Sequence, residues 1–290
     1  MRFEKSGANR RRKKKRGMHM RRRMQVGCLA LSALLLFAPG ASLAVRAETP
    51  NVAVFAENAD AAVTPESVEE LIAQIGDVTP KKADAIANAW NAYSQLDEGS
   101  RALVRNIDVL TEAQQVLEIQ QALEKLWVQR DDVERRSWIE GTVSNHSLSR
   151  SIALPYFGYF DDSGVGPLRW KIVYYGTDWV FYKTAVFAID DETYYKNFEY
   201  RDVVRDNARG YVWEVADFVA TDEDVELLQK IAQSKKTVIR FKGDKNSAQY
   251  TVQKKDKERI PLLLHAYDLM SNASTEVQAK ALAGIKQKNY

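Results

Sequence analysis

The spacing of apolar residues changes near Trp138, and this change constrains the fold more than any other feature of the sequence. Before that point apolar residues recur every three or four positions, as Val68, Ile72 and Ile75 do, which is typical of helices that bury one face. After it aromatic and β-branched residues alternate with polar ones, which indicates strands. The pattern predicts an α+β protein, with a small N-terminal helical bundle and a C-terminal antiparallel sheet domain that carries two or three helices.

Turn and capping residues place the bundle within residues 64–136. Threonine–proline pairs at residues 64–65 and 79–80 each combine a hydroxyl group that can cap a helix with a proline suited to its first turn. Gly76, between them, is expected to end the first helix. A short helix and a longer one follow, and the last apolar stripe extends to Trp127 before it fades in a charged run.

The bundle resembles a helical module of secreted and surface proteins of Gram-positive bacteria. That module has an Ile-Gly turn followed by Val-Thr, a helix that ends in Ala-Tyr, and a later Leu-Val-x-Asn segment. The matching positions lie within residues 64–115 and are Ile75, Gly76, Val78, Thr79, Ala92, Tyr93, Leu96, Leu103, Val104, Asn106 and Leu110. The resemblance implies a spacer or binding unit, and it supplies no catalytic residue because every matching position is a packing or turn residue.

Residues 137–270 are predicted to form the sheet domain. Strands at residues 168–175, 179–189 and 193–200 are separated by short polar turns, which favours an antiparallel meander of hairpins. A Tyr-Gly-x-x-Trp-x-Phe hairpin starting at Tyr175 and a later Ile-Arg-Phe-x-Gly strand are similar to uncharacterised secreted domains. That resemblance implies an α+β fold and no particular activity.

The rest of the sheet domain is predicted to hold helices and a loose tail. Thr221 can cap a helix whose first turn is acidic, which suits the helix dipole. A further strand is expected at residues 237–242. Pro261 cannot donate a backbone hydrogen bond, so the last helix is expected to start or kink there. Residues 271–290 are expected to be flexible.

The first 47 residues have the three-part order of a secretory signal peptide. A basic run at residues 10–16 precedes an apolar stretch, and small residues then lead to Ala44 and Ala47. We predict export to the cell surface or medium, with cleavage after Ala47 or Ala44 and a linker over residues 48–63. If the segment stays uncleaved, it would anchor the chain in a membrane with the remainder outside.

Without this leader the chain is acidic. Residues 1–47 hold 13 of the 42 lysines and arginines but one of the 39 acids, which leaves 29 basic and 38 acidic residues and a net charge of −9. No nucleic-acid partner is therefore predicted. The only cysteine, Cys28, lies in the leader, so neither a disulfide nor thiol chemistry is expected after cleavage.

The sequence has no motif for a metal, a cofactor or a catalytic nucleophile. Its histidines, His19, His146 and His265, lack zinc-ligand spacing, and neither a Gly-x-Ser-x-Gly elbow nor a glycine-rich phosphate loop occurs. We therefore predict no cofactor and no metal. Glu214 and Asp217 are the pair that most suggests glycosidase carboxylates, but two strand residues three apart point to opposite faces.

Aromatic residues are concentrated in the predicted meander, where 15 of residues 151–200 are Tyr, Phe or Trp. Sugar- and peptide-binding proteins use such rings as flat, rigid contact surfaces, whereas other rings only fill cores. The candidate ligand-binding rings are Tyr174, Trp179, Tyr182 and Tyr195.

Arginines recur at every fourth residue just after the meander. Arg201, Arg205 and Arg209 would share one face if the segment were helical, and that face would bind a carboxylate or a phosphate. Arg201 and Arg205 are therefore candidate ligand-binding residues. The interleaved acids Asp202 and Asp206 favour the alternative of a charged, solvated surface.

These observations lead to a functional hypothesis without an identified ligand. We expect an exported, non-enzymatic protein that binds a cell-wall glycan or an extracellular protein through the aromatic-rich domain. The alternatives are an extracellular, glycosidase-like hydrolase and a purely structural module of the cell envelope. A membrane contact is expected only through the N-terminal segment.

Overall fold

The computed structural model describes residues 62–141 and 149–289. The predicted signal peptide, nearly all of the linker and His146 lie outside these residues. The described residues, which belong to one compact unit spanning Asp60–Tyr290, confirm the α+β class, with helices and two β-sheets. Within this part of the chain no helix is both long and apolar enough to cross a membrane.

Four helices open the described part, nine strands follow, and the remaining three helices are interspersed with the last three strands. The helices are α1 (Pro65–Ala73), α2 (Ala83–Gln95), α3 (Glu98–Arg101), α4 (Ile107–Leu123), α5 (Asp222–Gln233), α6 (Lys254–Asn272) and α7 (Thr275–Ala283). The strands are β1 (Trp127–Asp131), β2 (Arg136–Glu140), β3 (Ile152–Phe160), β4 (Gly164–Val165), β5 (Arg169–Gly176), β6 (Thr184–Ile189), β7 (Glu192–Asn197), β8 (Val203–Ala208), β9 (Tyr211–Val219), β10 (Thr237–Lys242), β11 (Ser247–Thr251) and β12 (Lys288–Asn289).

The N-terminal helices form a small bundle with its own core. The Thr64 hydroxyl accepts from the Ser67 backbone N–H, and the Ser67 hydroxyl accepts in return from the Thr64 N–H, so α1 begins with a capping box. Val68, Ile86 and Leu110 come from three helices and are fully buried against one another. Burying each of them stabilises the bundle by roughly 1.5–3 kcal/mol.

The strands form two sheets of different size. Sheet A has the order β12-β1-β2-β3-β5-β9-β8, with β4 paired to β3, and all its pairs are antiparallel except β1 with β12. Sheet B has the antiparallel order β11-β10-β6-β7. The hairpin predicted between β6 and β7 is confirmed, and Asp190 takes the left-handed backbone conformation (φ 48°) that such tight turns require.

The predicted meander is wrong between its first two strands, where a hairpin was expected. β5 and β6 belong to different sheets, because β5 pairs with β3 and β9 while β6 pairs with β7 and β10. The chain leaves sheet A at Gly176 and enters sheet B at Thr184, so residues 177–183 cross between the sheets. We call these residues the crossing loop.

One face of sheet A, the inner face, supports two hydrophobic cores. Trp170, Ile172 and Ala216 face sheet B and helix α5, while Ile139 and Phe157 face helices α4, α6 and α7. Successive strand residues alternate between faces, so Lys171 and Asp217 lie on the opposite, outer face. Both hydrophobic cores are therefore built on the inner face. The crossing loop lies on the same side of sheet A, where the chain passes to sheet B.

Three sequence expectations about element boundaries are wrong. Residues 127–136 are not the fading end of a helix, since most of them belong to the β1–β2 hairpin. Helix α6 begins seven residues before Pro261, at Lys254, and runs through the proline, so of the two expected alternatives, a start or a kink, the start is wrong. Residues 271–290 are not loose over most of their length, because α7 buries Val277, Ala281 and Leu282 in the second core.

Candidate functional site

A single buried carboxylate holds the crossing loop in place. Glu214, on the inner face of β9, is fully buried. One of its oxygens accepts the backbone N–H groups of Val180 and Phe181, both at 2.7 Å, and the other accepts that of Tyr182 at 2.8 Å. The guanidinium of Arg205 approaches the same carboxylate at 3.7 Å. Three charge-assisted hydrogen bonds to one group fix the backbone of the loop.

Phe181 sits in this loop with a strained backbone. Its φ is 52°, in the left-handed region that non-glycine residues occupy at a cost of about 1–2 kcal/mol. Its ring is nevertheless 44% exposed, so burial of the side chain does not offset the strain. Strained residues that the surrounding structure holds in place are concentrated at binding sites. The crossing loop is therefore a candidate functional segment.

Planar side chains form an alternating stack beside the loop. The rings of Trp179 and Phe181 stack with centroids 5.5 Å apart and planes at 20°. The Arg205 guanidinium carbon lies 5.8 Å from the Phe181 ring centre and 4.1 Å from that of Tyr200. Arg205 also donates to the Tyr200 and Val203 carbonyls, which orients it. We call Trp179, Phe181, Arg205 and Tyr200 the aromatic ladder.

An open depression of about 600 Å³ adjoins the ladder at Trp179. The polar residues Asp178, Lys245, Asn246 and Ser247 line it together with Trp179. The Asn246 amide donates to the Trp179 carbonyl at 3.1 Å, which ties the β10–β11 turn to the crossing loop. We call this feature the Trp179 depression. It combines a flat ring with hydrogen-bonding groups around it.

The four candidate rings have different environments. Trp179 lines the depression, and Tyr174 lines it too, although Tyr174 is 8% exposed and donates its hydroxyl to the Asp178 carbonyl. Tyr182 was wrongly placed among the contact rings. It is fully buried between the sheets, where its hydroxyl bonds to the Ile172 carbonyl and the Ala216 N–H. Tyr195 is 66% exposed and lies on the outer side of sheet B, in a second depression.

The candidate arginines do not share a helical face. Arg201 lies in a short 3₁₀ turn, Arg205 lies in β8, and Arg209 follows that strand with a φ of 52°. The Arg201 side chain is 88% exposed and, among the residues that the structure describes, forms an ion pair only with Asp202, whereas the Arg205 side chain is 10% exposed within the ladder. The condition that the segment is helical is therefore not met, because a turn followed by a strand is also compatible with every-fourth spacing.

Sequence reasoning missed Phe181, Tyr200 and the structural role of Glu214. The expectation that Glu214 and Asp217 point to opposite faces is confirmed, since Glu214 faces the core and Asp217 the outer face. A signal for Glu214 was present: it is the one acid among inward-facing apolar residues such as Val212 and Ala216. A buried strand carboxylate requires partners, and here backbone amides supply them.

A second polar cluster lies on the outer face of sheet A, and we call it the outer-face cluster. The Tyr156 hydroxyl donates to Asp217 at 2.6 Å, and Arg169 Nε donates to both the Tyr156 oxygen (3.0 Å) and Asp217 (2.9 Å). The Lys171 ammonium lies 4.5 Å from the Tyr156 ring centre. Glu140 completes the cluster, which thereby brings together residues of four neighbouring strands.

Burial perturbs the titration of this cluster. Desolvation raises the pKa of Glu140 to about 7, opposed by the positive charge of Lys171 and reinforced by the negative charge of Asp217. Desolvation likewise lowers the pKa of Lys171, while Glu140 and Asp217 oppose that shift. The cluster therefore holds a carboxyl group that retains its proton close to neutral pH.

Replacing Glu140 by glutamine is expected to flatten the dependence of stability on pH. The unfolded chain releases the Glu140 proton near pH 4.5, but the folded chain keeps it to about pH 7. Wild-type stability should therefore fall by about 3 kcal/mol as the pH rises through that window, and the variant should lack this contribution. Urea unfolding of both chains from pH 4 to 8 measures the difference, and parallel curves would contradict the assignment.

The described residues contain no cluster of three or more His, Cys, Asp or Glu side chains arranged to hold a metal ion. No protein-family model, curated protein or solved structure matches the chain. The functional argument therefore rests on the geometry of the crossing loop, the aromatic ladder and the two sheet faces.

Proposed function

We propose that the chain is an exported, non-enzymatic protein that binds a glycan at the Trp179 depression. One observation carries the proposal: a strained, tightly hydrogen-bonded loop presents Trp179 beside an open depression lined by polar side chains. The Glu214 hydrogen bonds and the ladder hold the ring in position before any ligand arrives. Less conformational freedom is then lost on binding, which favours affinity.

The chemistry around the ring suits a saccharide better than an apolar ligand. The C–H face of a sugar can lie on the indole, while its hydroxyl groups can bond to Asp178, Lys245 and Asn246. The export and cell-surface parts of the proposal are supported by the basic and apolar leader of the sequence. A cell-wall glycan is accordingly the partner we favour over an extracellular protein.

Replacing Trp179 by alanine is expected to weaken glycan binding at least about tenfold, equivalent to roughly 1.4 kcal/mol. The measurement is a glycan array of cell-wall and common saccharides, followed by titration calorimetry of the chain from Glu48 onward with the best ligand. Asp178→Asn changes one of the polar residues that line the Trp179 depression without removing a ring. It should weaken binding less than Trp179→Ala does.

Tyr211→Ala is the matched control for that experiment. Tyr211 is 44% exposed and stacks on Tyr175, with centroids 5.2 Å apart, but it does not line the depression. It should therefore leave glycan affinity unchanged. If no glycan binds the wild-type chain, or if Trp179→Ala binds as the wild type does, the proposed site is wrong.

The outer-face cluster favours a second candidate function, acid–base hydrolysis of a glycan. Glu140, with a pKa of about 7, can donate a proton to a leaving oxygen, and Asp217 supplies a carboxylate on the same face. The Glu140→Gln variant described above separates the candidates. Release of reducing sugar by the wild-type chain and not by the variant would support hydrolysis, and no release from any cell-wall glycan would exclude it.

A further inference from the structure

The outward side of sheet B carries basic residues without acidic neighbours in the strands. Cross-strand pairing puts Tyr195, Val186, Arg240 and Gln249 in one row. The next row contains Thr184 and Lys242, and the third row contains Ala188 and Val238. No acidic residue belongs to these three rows, although the chain after the leader has 38 acids and 29 bases. Positive charge is therefore concentrated on this side of an acidic protein.

A depression of about 600 Å³ lies on this surface, and we call it the basic depression. Lys183, Arg240, Lys242 and Tyr195 line it, and Asp244 is the only acid among the described residues of its lining. Lys183 Nζ lies 2.5 Å from the Asp244 carboxylate, so that acid is already paired. Among the described residues neither Arg240 nor Lys242 makes an ion pair. Two cations thus remain to attract a negatively charged group.

Arg240 is oriented for this role. With the Gln249 amide turned so that its oxygen faces the guanidinium, that oxygen accepts from Arg240 Nε at 3.1 Å and from Nη2 at 2.9 Å. These hydrogen bonds hold the planar Arg240 guanidinium on the strand surface. They do not use Nη1, whose protons can still be donated to a ligand. A fixed guanidinium beside an ammonium is the arrangement that binds carboxylate and phosphate oxygens well.

The basic depression adjoins the proposed glycan site. Ser247, which follows the β10–β11 turn, lines both this depression and the Trp179 depression. We infer that the ligand is an anionic glycan, whose sugar ring contacts Trp179 while its phosphate or carboxylate groups bind to Arg240 and Lys242. This inference rests on the proposed function and specifies its ligand class. Tyr195 would provide a second ring contact at the far side of the basic depression.

The main comparison is between two ligands that differ in charge alone. A uronic-acid oligosaccharide and its carboxyl-reduced, neutral counterpart are titrated into the chain from Glu48 onward, which lacks the basic leader. A phosphodiester-linked sugar polymer tests the other anion. The wild-type chain should bind at least one anionic ligand about tenfold or more tightly than the neutral one, and added salt should weaken only anionic binding. The two anionic arms show whether carboxylate or phosphate is preferred.

The decisive variant is the double substitution Arg240→Gln with Lys242→Gln. It should reduce the anionic-to-neutral affinity ratio to about one while neutral binding persists. Lys81→Gln with Lys125→Gln removes the same charge at two exposed lysines elsewhere, and it should leave the ratio nearly unchanged. Unfolding curves that match those of the wild type show that the variants fold.

The outcomes that would contradict the anionic inference differ from those that would contradict the proposed glycan site. Equal binding of neutral and anionic ligands, lost in Trp179→Ala, would overturn the anionic inference and keep the glycan site. A charge preference that survives in the Arg240 and Lys242 double variant would also overturn the inference. Binding that is unaffected by Trp179→Ala would overturn the proposed glycan site, and the inference with it.

Discussion

Replacing Glu214 by alanine is expected to lower the free energy of unfolding by on the order of 5 kcal/mol. The substitution leaves the N–H groups of Val180, Phe181 and Tyr182 without their acceptor, in a region where Val180 and Tyr182 are buried. Each unsatisfied buried donor costs about 1–3 kcal/mol. Arg205, 10% exposed, also loses the carboxylate that balances its charge. Urea unfolding followed by circular dichroism measures the loss.

Two further variants separate the hydrogen bonds from the volume of the side chain. Glu214→Gln retains the size and one acceptor oxygen, but its amide nitrogen cannot accept a third N–H, so we expect an intermediate loss. Glu134→Ala removes an exposed glutamate in the β1–β2 turn and should change stability by less than about 0.5 kcal/mol. A Glu214→Ala chain as stable as Glu134→Ala would show that the carboxylate does not hold the loop.

Local signals in the sequence were sufficient for the fold class and for most helices. The Thr64 and Thr221 caps act within three residues of themselves, and both side chains form the capping bonds that the sequence predicts. The β6–β7 turn is equally local. These elements are predictable because the residues that specify them are neighbours in the chain.

The path of the crossing loop was not predictable in the same way. Gly176 and the two residues after it suit a hairpin, and the local sequence favours one. The chain crosses to the other sheet, where β6 pairs with β7 and β10, and Glu214, more than thirty residues later, accepts the loop's backbone N–H groups. The partner of the crossing loop is therefore distant in sequence. Neither turn residues nor strand periodicity can predict a contact with such a residue.

The sequence also could not predict which individual candidate rings are accessible. Trp179 and Tyr182 lie three residues apart in an aromatic segment, yet one lines a depression and the other is buried. Burial in an irregular loop does not follow the two-residue period of a strand, so composition identified the segment but not which rings are accessible. The outer-face cluster was missed for a related reason: Glu140, Tyr156 and Lys171 meet only after three strands are placed side by side.

Replacing Gly243 by alanine is expected to destabilise the protein by about 3–4 kcal/mol and to disturb the glycan site. A Cβ atom at this position would lie 2.0 Å from the Val180 carbonyl oxygen and 2.9 Å from that of Phe181. Both atoms belong to the backbone of the crossing loop, so no side-chain rotation relieves the overlap. The loop or the β10–β11 turn must move, at the cost of overpacking and broken hydrogen bonds.

The movement should reach the ligand site because Asn246, in the same turn, donates to the Trp179 carbonyl. We therefore expect Gly243→Ala to lose glycan affinity together with stability. Gly210→Ala is the matched control: Gly210 has a φ of 80° but has open space around an added Cβ, so the substitution should cost about 1–2 kcal/mol of backbone strain and leave binding intact. If the two glycine variants were equally stable and bound glycan equally well, the contact between this turn and the crossing loop would have no role in shaping the site.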